Sequence, residues 1–167
     1  MPKYWLDSDV LIQCKNEHFA FDIAPGFWER LAHAAKLGLI ASPMRVYDEL
    51  VNGKDDLSTW ARDVKQHKFF VEGAKEVQLL VRQIVDFVEA NYSNSERKAE
   101  FVKGADPWVI AHAKKEDAIV VTREVLVGPD STWVKIPNIC KDFGVEYSSP
   151  FDMMRDIGLK LVQHEKD

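Results

Sequence analysis

Cysteine is scarce in this chain: only Cys14 and Cys140 occur, far apart and outside any CxxC pair. A disulfide framework and a thiolate zinc site are thereby excluded, and a reducing cytosol is the expected compartment. Long apolar runs are missing as well. No stretch approaches the roughly 18 to 20 apolar residues that a membrane span needs, and residues 1–9, MPKYWLDSD, meet two acids before an apolar signal core can form. The expectation is a soluble, cytoplasmic protein with no membrane partner. Nor does positive charge dominate. Lys and Arg total 22 against 27 Asp and Glu, a net charge of -5, so nucleic acid cannot be held by bulk charge alone. A polyanionic substrate would need local help, either from a basic strip, for which Arg97, Lys98 and Lys103 are placed, or from metal ions that reverse the sign of an acidic pocket. No Gly-rich turn follows the first apolar run, which excludes a dinucleotide-binding fingerprint.

What is present is globular material. The 167 residues are 46% hydrophobic and 29% charged, without repeats or low-complexity tracts, and predict one domain over residues 1–167. Residues 3–7 read as a short buried strand, followed by a helix from Val10 with Ser8 or Asp9 as its cap. A helix over 27–36 stops at Gly38, and a strand follows over 39–41. Ser42 then caps a helix that begins at Pro43 and ends at Gly53. Residues 57–92 read as mostly helical, carried by Val77, Leu80, Val81, Ile84, Val85 and Val88 at helical spacing. After the polar segment 93–101, Asp106 reads as the cap of another helix, with Pro107 in its first turn. AIVVT, residues 118–122, is the continuous apolar run of a parallel strand buried on both faces. Beyond a turn at 128–130 come a strand over 132–135, a helix over 137–143, a strand at 145–146 and a last helix from Ser149 or Pro150. Strands alternating with helices predict an α/β fold, three layers (α/β/α) around a central, mainly parallel sheet, with extra helices in the middle of the chain.

In such sheets ligands bind beyond the carboxyl ends of the strands. Asp7 falls at the end of the first strand, Thr122 and Glu124 at the end of AIVVT, and Asp106 at the head of the helix leading into it. On the helix after the second strand, Asp48 and Glu49 flank the apolar face about equally, and periodicity leaves the choice open. Asp130 in the following turn rivals Glu124 in the same way. Carboxylates so gathered repel and raise one another's pKa unless cations lie among them. All-oxygen ligation suits Mg²⁺ or Mn²⁺, while no paired-His or thiolate spacing favours zinc. Two such ions can activate water and steady the attacking and leaving oxygens of a phosphodiester.

LDSDVLI (6–12), the Glu of YDEL (47–50), GADPWVIAHA (104–113) and VVTRE (120–124) resemble, in that order, the acidic motifs of the PIN-domain nucleases. IPNICKDFGVEY (136–147) resembles the closing helix and strand of that fold, so the likeness spans nearly the whole chain. The resemblance implies that Asp7, Glu49, Asp106 and Glu124 are the four metal-binding acids, with Ser8 and Thr122 lining the same pocket. It further implies Mg²⁺- or Mn²⁺-dependent cleavage of RNA. Many bacterial and archaeal members are homodimeric toxins held by a small antitoxin protein, so such a partner is expected too. The chain departs from the common pattern by Glu124 where Asp is usual, by Asp9 where Asn or Ser is usual, and by its long helical stretch over 57–92.

Around these acids, Asp9 reads as a helix cap beside the pocket, and Arg45, Lys103, Arg123 and Lys135 fall near the predicted sheet edge, where they could hold phosphate. His112 and Trp108 read as packing residues, and His18, His33, His67 and His164 form no ligand spacing. Two rival functions remain. Asp7 and Asp9 also resemble the nucleophile and acid/base pair of haloacid-dehalogenase-like phosphohydrolases, although the later motifs of that family are not evident. A non-catalytic PIN-like module that binds RNA or protein is the other, though such degenerate sites lose acids and all four are kept here.

Overall fold

The computed structural model describes residues 1–163; His164 lies outside the described residues. In chain order it runs β1 (Tyr4–Leu6), α1 (Ser8–Gln13), a π-helical turn (Cys14–His18), α2 (Pro25–Lys36), β2 (Ile40–Pro43), α3 (Met44–Leu50) and α4 (Asp56–Lys65). It continues through β3 (Phe70–Val71), α5 (Lys75–Asn91), α6 (Ser95–Lys103), α7 (Asp106–Glu116), β4 (Ile119–Val121), α8 (Ile136–Phe143), β5 (Glu146–Ser148) and α9 (Pro150–Asp156). Every strand pairing is parallel, in the order β3-β2-β1-β4-β5, with Tyr4 opposite Ile40 on one side and Ile119 on the other. Helices flank this five-stranded sheet, giving the three-layer α/β/α architecture.

Strand order fixes where a site can form. From β1 the chain steps outward through β2 and β3, then returns to the opposite side of β1 as β4. The connections leaving β1 and β4 therefore diverge, and a crevice opens at their carboxyl ends, the usual ligand position in an open parallel sheet. The core beneath it is formed by fully buried Trp5, Leu6, Ile40 and Val120 of the sheet, with Ile84 and Val88 of α5 and Val109 and Ile110 of α7. Each such side chain contributes about 1.5 to 3 kcal/mol by leaving water. The apolar stripe of α5 turns Val77, Ile84 and Val88 fully inward and leaves Leu80, Val81 and Val85 half-buried, and the helix packs chiefly on α7.

Several local expectations are corrected. The stretch over 57–92 is broken by β3, whose two residues pair with β2 while Phe70 packs against the ring of Tyr47; two residues are too few to show an alternating pattern. The polar segment after it contains α6, capped by Asn94, whose side chain accepts the Arg97 N–H at 3.0 Å. Residues 132–135 form no strand, and the last strand is Glu146–Ser148 rather than 145–146. Ser42 is no helix cap: it lies in β2 and donates its hydroxyl to the Leu6 carbonyl at 2.6 Å, stitching β2 to β1. Pro43 takes the cap position instead. Ser8 and Asp9 are inside α1, not before it, and Asp106 is the first residue of α7, with Ala105 at its cap. Among the described residues no helix is long and apolar enough to cross a membrane.

Candidate active site

Asp7 immediately follows β1. Its backbone N–H continues the sheet by donating to the Val121 carbonyl at 3.3 Å, which fixes the side chain at the crevice floor, only 3% exposed. It occupies the cap position of α1 yet makes no side-chain capping bond; its Oδ1 instead accepts from the Ser8 hydroxyl at 3.4 Å. Burial above all, then repulsion by Asp9, Glu124 and Glu49, pushes its carboxyl up to about 7. Asp106 is the first residue of α7, and the cap position before it is Ala105, which makes no side-chain capping bond. Desolvation first, then Asp7, Glu124, Glu49 and Asp9, raises the Asp106 pKa well above the usual carboxylate range. The buried Asp7 and the half-buried Asp106 thus face the same negative neighbours.

The other two acids are aimed by backbone donors. Glu49, on α3, accepts the Ala105 N–H through Oε1 at 3.0 Å, tying α3 to the start of α7. Glu124, in the segment after β4, accepts the Ile136 N–H through Oε2 at 2.7 Å, and its Oε1 lies 3.7 Å from the Lys135 ammonium. Thr122 is buried, its hydroxyl accepting the Glu124 N–H at 3.1 Å and its own N–H donating to the Ser148 carbonyl. Asp9 lies half-buried in the first turn of α1 and adds its charge to the field at both Asp7 and Asp106. The donor set is all oxygen and anionic, which fits a hard divalent cation. Among the described residues no three His, Cys, Asp or Glu side chains are drawn together as a finished ligand group.

The rivals point elsewhere. Asp48 lines a separate cleft of about 330 Å³ with Arg45, Lys65 and Trp108, and Arg45 holds its guanidinium 5.3 Å from the Trp108 ring. Asp130 lines a cleft of about 740 Å³ with Tyr92, Trp133 and Lys141. Of the expected phosphate-binding cations, Arg45 therefore belongs to the other cleft, Lys103 is exposed at the end of α6, and Arg123 is paired with Glu17 at 2.9 Å. Lys98 pairs with Glu89 at 3.1 Å. His112 is buried and stacked on Trp5 at 4.2 Å, where burial lowers its pKa to about 4, so it packs without touching the acids. What sequence reasoning missed is Trp133. A narrow cleft of about 80 Å³ is lined by Asp106 and Glu124 together with Arg97, Lys135 and Trp133. The only available signal was a tryptophan next to Val134 and Lys135 in a segment otherwise polar and turn-rich.

The model of a family described as "Domain of unknown function (DUF4411)" matches residues 4–161. Among solved structures, VapBC2 from Rickettsia felis, bound to a DNA fragment from their promoter, is similar at 15% identity. That match covers 87% of this chain and 97% of that one with a TM-score of 0.50. VapBC-1 from nontypeable Haemophilus influenzae is similar at 14% identity, covering 87% of this chain and 96% of that one with a TM-score of 0.53. No curated protein matches the chain. At these identities the likeness is one of fold, and the fold is PIN-like.

Proposed function

The chain belongs to that family, and we propose that it is a metal-dependent endoribonuclease, the toxin half of a toxin–antitoxin pair. The observation behind the reading is that Asp7, buried at the end of β1, and Asp106, half-buried at the head of α7, share Glu49, Glu124 and Asp9 as negative neighbours, and that burial first and this repulsion second raise the pKa of both. A protein keeps such a cluster at a cost in stability, which a bound cation would offset. Asp7, Glu49, Asp106 and Glu124 would hold Mg²⁺ or Mn²⁺. Bound there, the ions would supply an activated water and charge stabilisation at the attacking and leaving oxygens of a phosphodiester. The chain's own part is placement. The Ala105 and Ile136 N–H groups keep the Glu49 and Glu124 carboxylates oriented, and Thr122 holds the segment that carries Glu124 against β5.

The partner reading rests on the fold and on the company it keeps, since the two similar structures named above are described as VapBC2 and VapBC-1. A small antitoxin is the partner we infer, RNA the substrate, and a homodimer the working form. The decisive experiment is cleavage of a single-stranded RNA by the purified protein with Mn²⁺. Cleavage should stop with EDTA, disappear in Asp7→Asn and weaken without vanishing in Asp9→Asn. Undiminished cleavage by Asp7→Asn would overturn the site, and loss of a phosphatase activity in Asp9→Asn would favour the phosphohydrolase instead.

A further inference from the structure

Trp133 lies in the segment between β4 and α8, 45% exposed, and it forms a wall of two clefts at once. On one side is the narrow cleft with Asp106 and Glu124; on the other is the 740 Å³ cleft with Asn91, Tyr92, Asn138 and Lys141. Two cations face its indole. The Arg97 guanidinium sits 3.7 Å from the ring centroid and the Lys135 ammonium 5.0 Å from it. Arg97 also donates to the Thr132 hydroxyl, so α6 and the 122–135 segment are joined at this point. On a chain with a net charge of -5 this exposed tryptophan with two cations over its ring lines the same cleft as Asp106 and Glu124.

Resting on the nuclease reading of those acids, we propose that Arg97, Trp133 and Lys135 form a platform for single-stranded RNA, stacking one base beside the cleavage site. Stacking on an aromatic face tolerates any base, and Arg97 and Lys135, which lie over the ring in the free protein, would move aside onto the phosphate that follows. The strand would continue from the acid cleft over Trp133 into the larger cleft, where the Tyr92 ring and the Asn91 and Asn138 amides offer further contacts to unpaired bases. Lys135 has a second task, since it also neutralises Glu124 at 3.7 Å. The platform sets where along a single strand the scissile phosphate falls; the acids do not.

The test is binding of a fluorescein-labelled 12-nucleotide single-stranded RNA, read by anisotropy with Ca²⁺ in place of Mn²⁺, and photocrosslinking of the same RNA carrying 5-bromouridine. Wild-type protein should crosslink within residues 126–135. Trp133→Ala should bind about 5- to 150-fold more weakly, Trp133→Phe should recover most of that loss, and Arg97→Ala should weaken binding and reduce its salt dependence. Circular dichroism shows whether the alanine variants are folded, and the position of the wild-type crosslink tests the platform if they are not. Unchanged affinity in a folded Trp133→Ala, or wild-type crosslinks that fall only outside residues 126–135, with RNA cleavage intact overturns the platform and leaves the nuclease standing. Trp133-dependent binding without any cleavage by wild type keeps the platform and overturns the nuclease. Equal binding of duplex RNA overturns the stacking mode.

Discussion

Asp7 is held at a protonation state that an ordinary surface acid never approaches at neutral pH. In the folded chain its pKa is about 7, against 3.8 for the free group. Between those values the folded state binds the extra proton, so the contribution of Asp7 to the stability of the metal-free protein is fully present below about 3.8 and is lost as pH rises through about 7. Asp7→Asn removes the buried charge. The metal-free variant should therefore melt several degrees above wild type at pH 8, at about 2 to 4 °C per kcal/mol for a chain of this size, and close to it at pH 4. A variant less stable than wild type at pH 8 would mean that Asp7 is structural. His112 acts in the opposite sense. Its folded pKa of about 4 lies below the free value of 6.5, so its contribution is intact above 6.5 and lost as pH falls toward 4. His112→Phe, which preserves stacking on Trp5, should flatten the acid limb of a Tm-against-pH curve; an unchanged limb would assign it to other groups.

At the scale of elements, the site depends on short joints rather than on long helices. α6 is held at its start by the Asn94 cap and buries only Phe101 fully, yet it carries Arg97 to the Trp133 ring. Asn94→Ala should lower stability by about 1 kcal/mol, read as a Tm fall of about 2 to 4 °C, and weaken RNA binding through Arg97; a Tm change without any binding change would detach α6 from the substrate surface. Elements were legible where many residues repeated one signal: the α5 stripe, the AIVVT strand, the acid at the end of β1. They were illegible where few residues or none did so. β3 has two residues, α6 is polar and buries one, and the placement of Trp133 is set by an irregular segment with no period to read. Cap chemistry misled for a related reason. Ser42, Asp9 and Asp106 are residue types that cap helices, but neighbouring strands and the pocket claimed Ser42 and Asp106 first, and α1 begins one residue before Asp9.

For the molecule as a whole, the sign of the charge decides how a polyanion can be held. A protein at -5 that binds RNA through bulk electrostatics would need a broad basic face, and the cations here are dispersed: Arg123 is paired with Glu17, Lys98 with Glu89, Lys15 with Asp55 and Lys3 with Asp156. Arg97 and Lys135 are the pair turned toward the acid cleft. Two phosphate contacts on a single strand predict a shallow salt dependence, a slope of about -1.4 in log affinity against log salt. Raising monovalent salt from 50 to 200 mM at constant Ca²⁺ should then cost about 7-fold in affinity by that same slope. A basic nucleic-acid-binding face would lose several orders of magnitude over the same range. A steep slope measured by anisotropy would place the RNA on some other surface, and the shallow one would mean that stacking and bound cations, rather than the protein's own charge, hold the strand at the site.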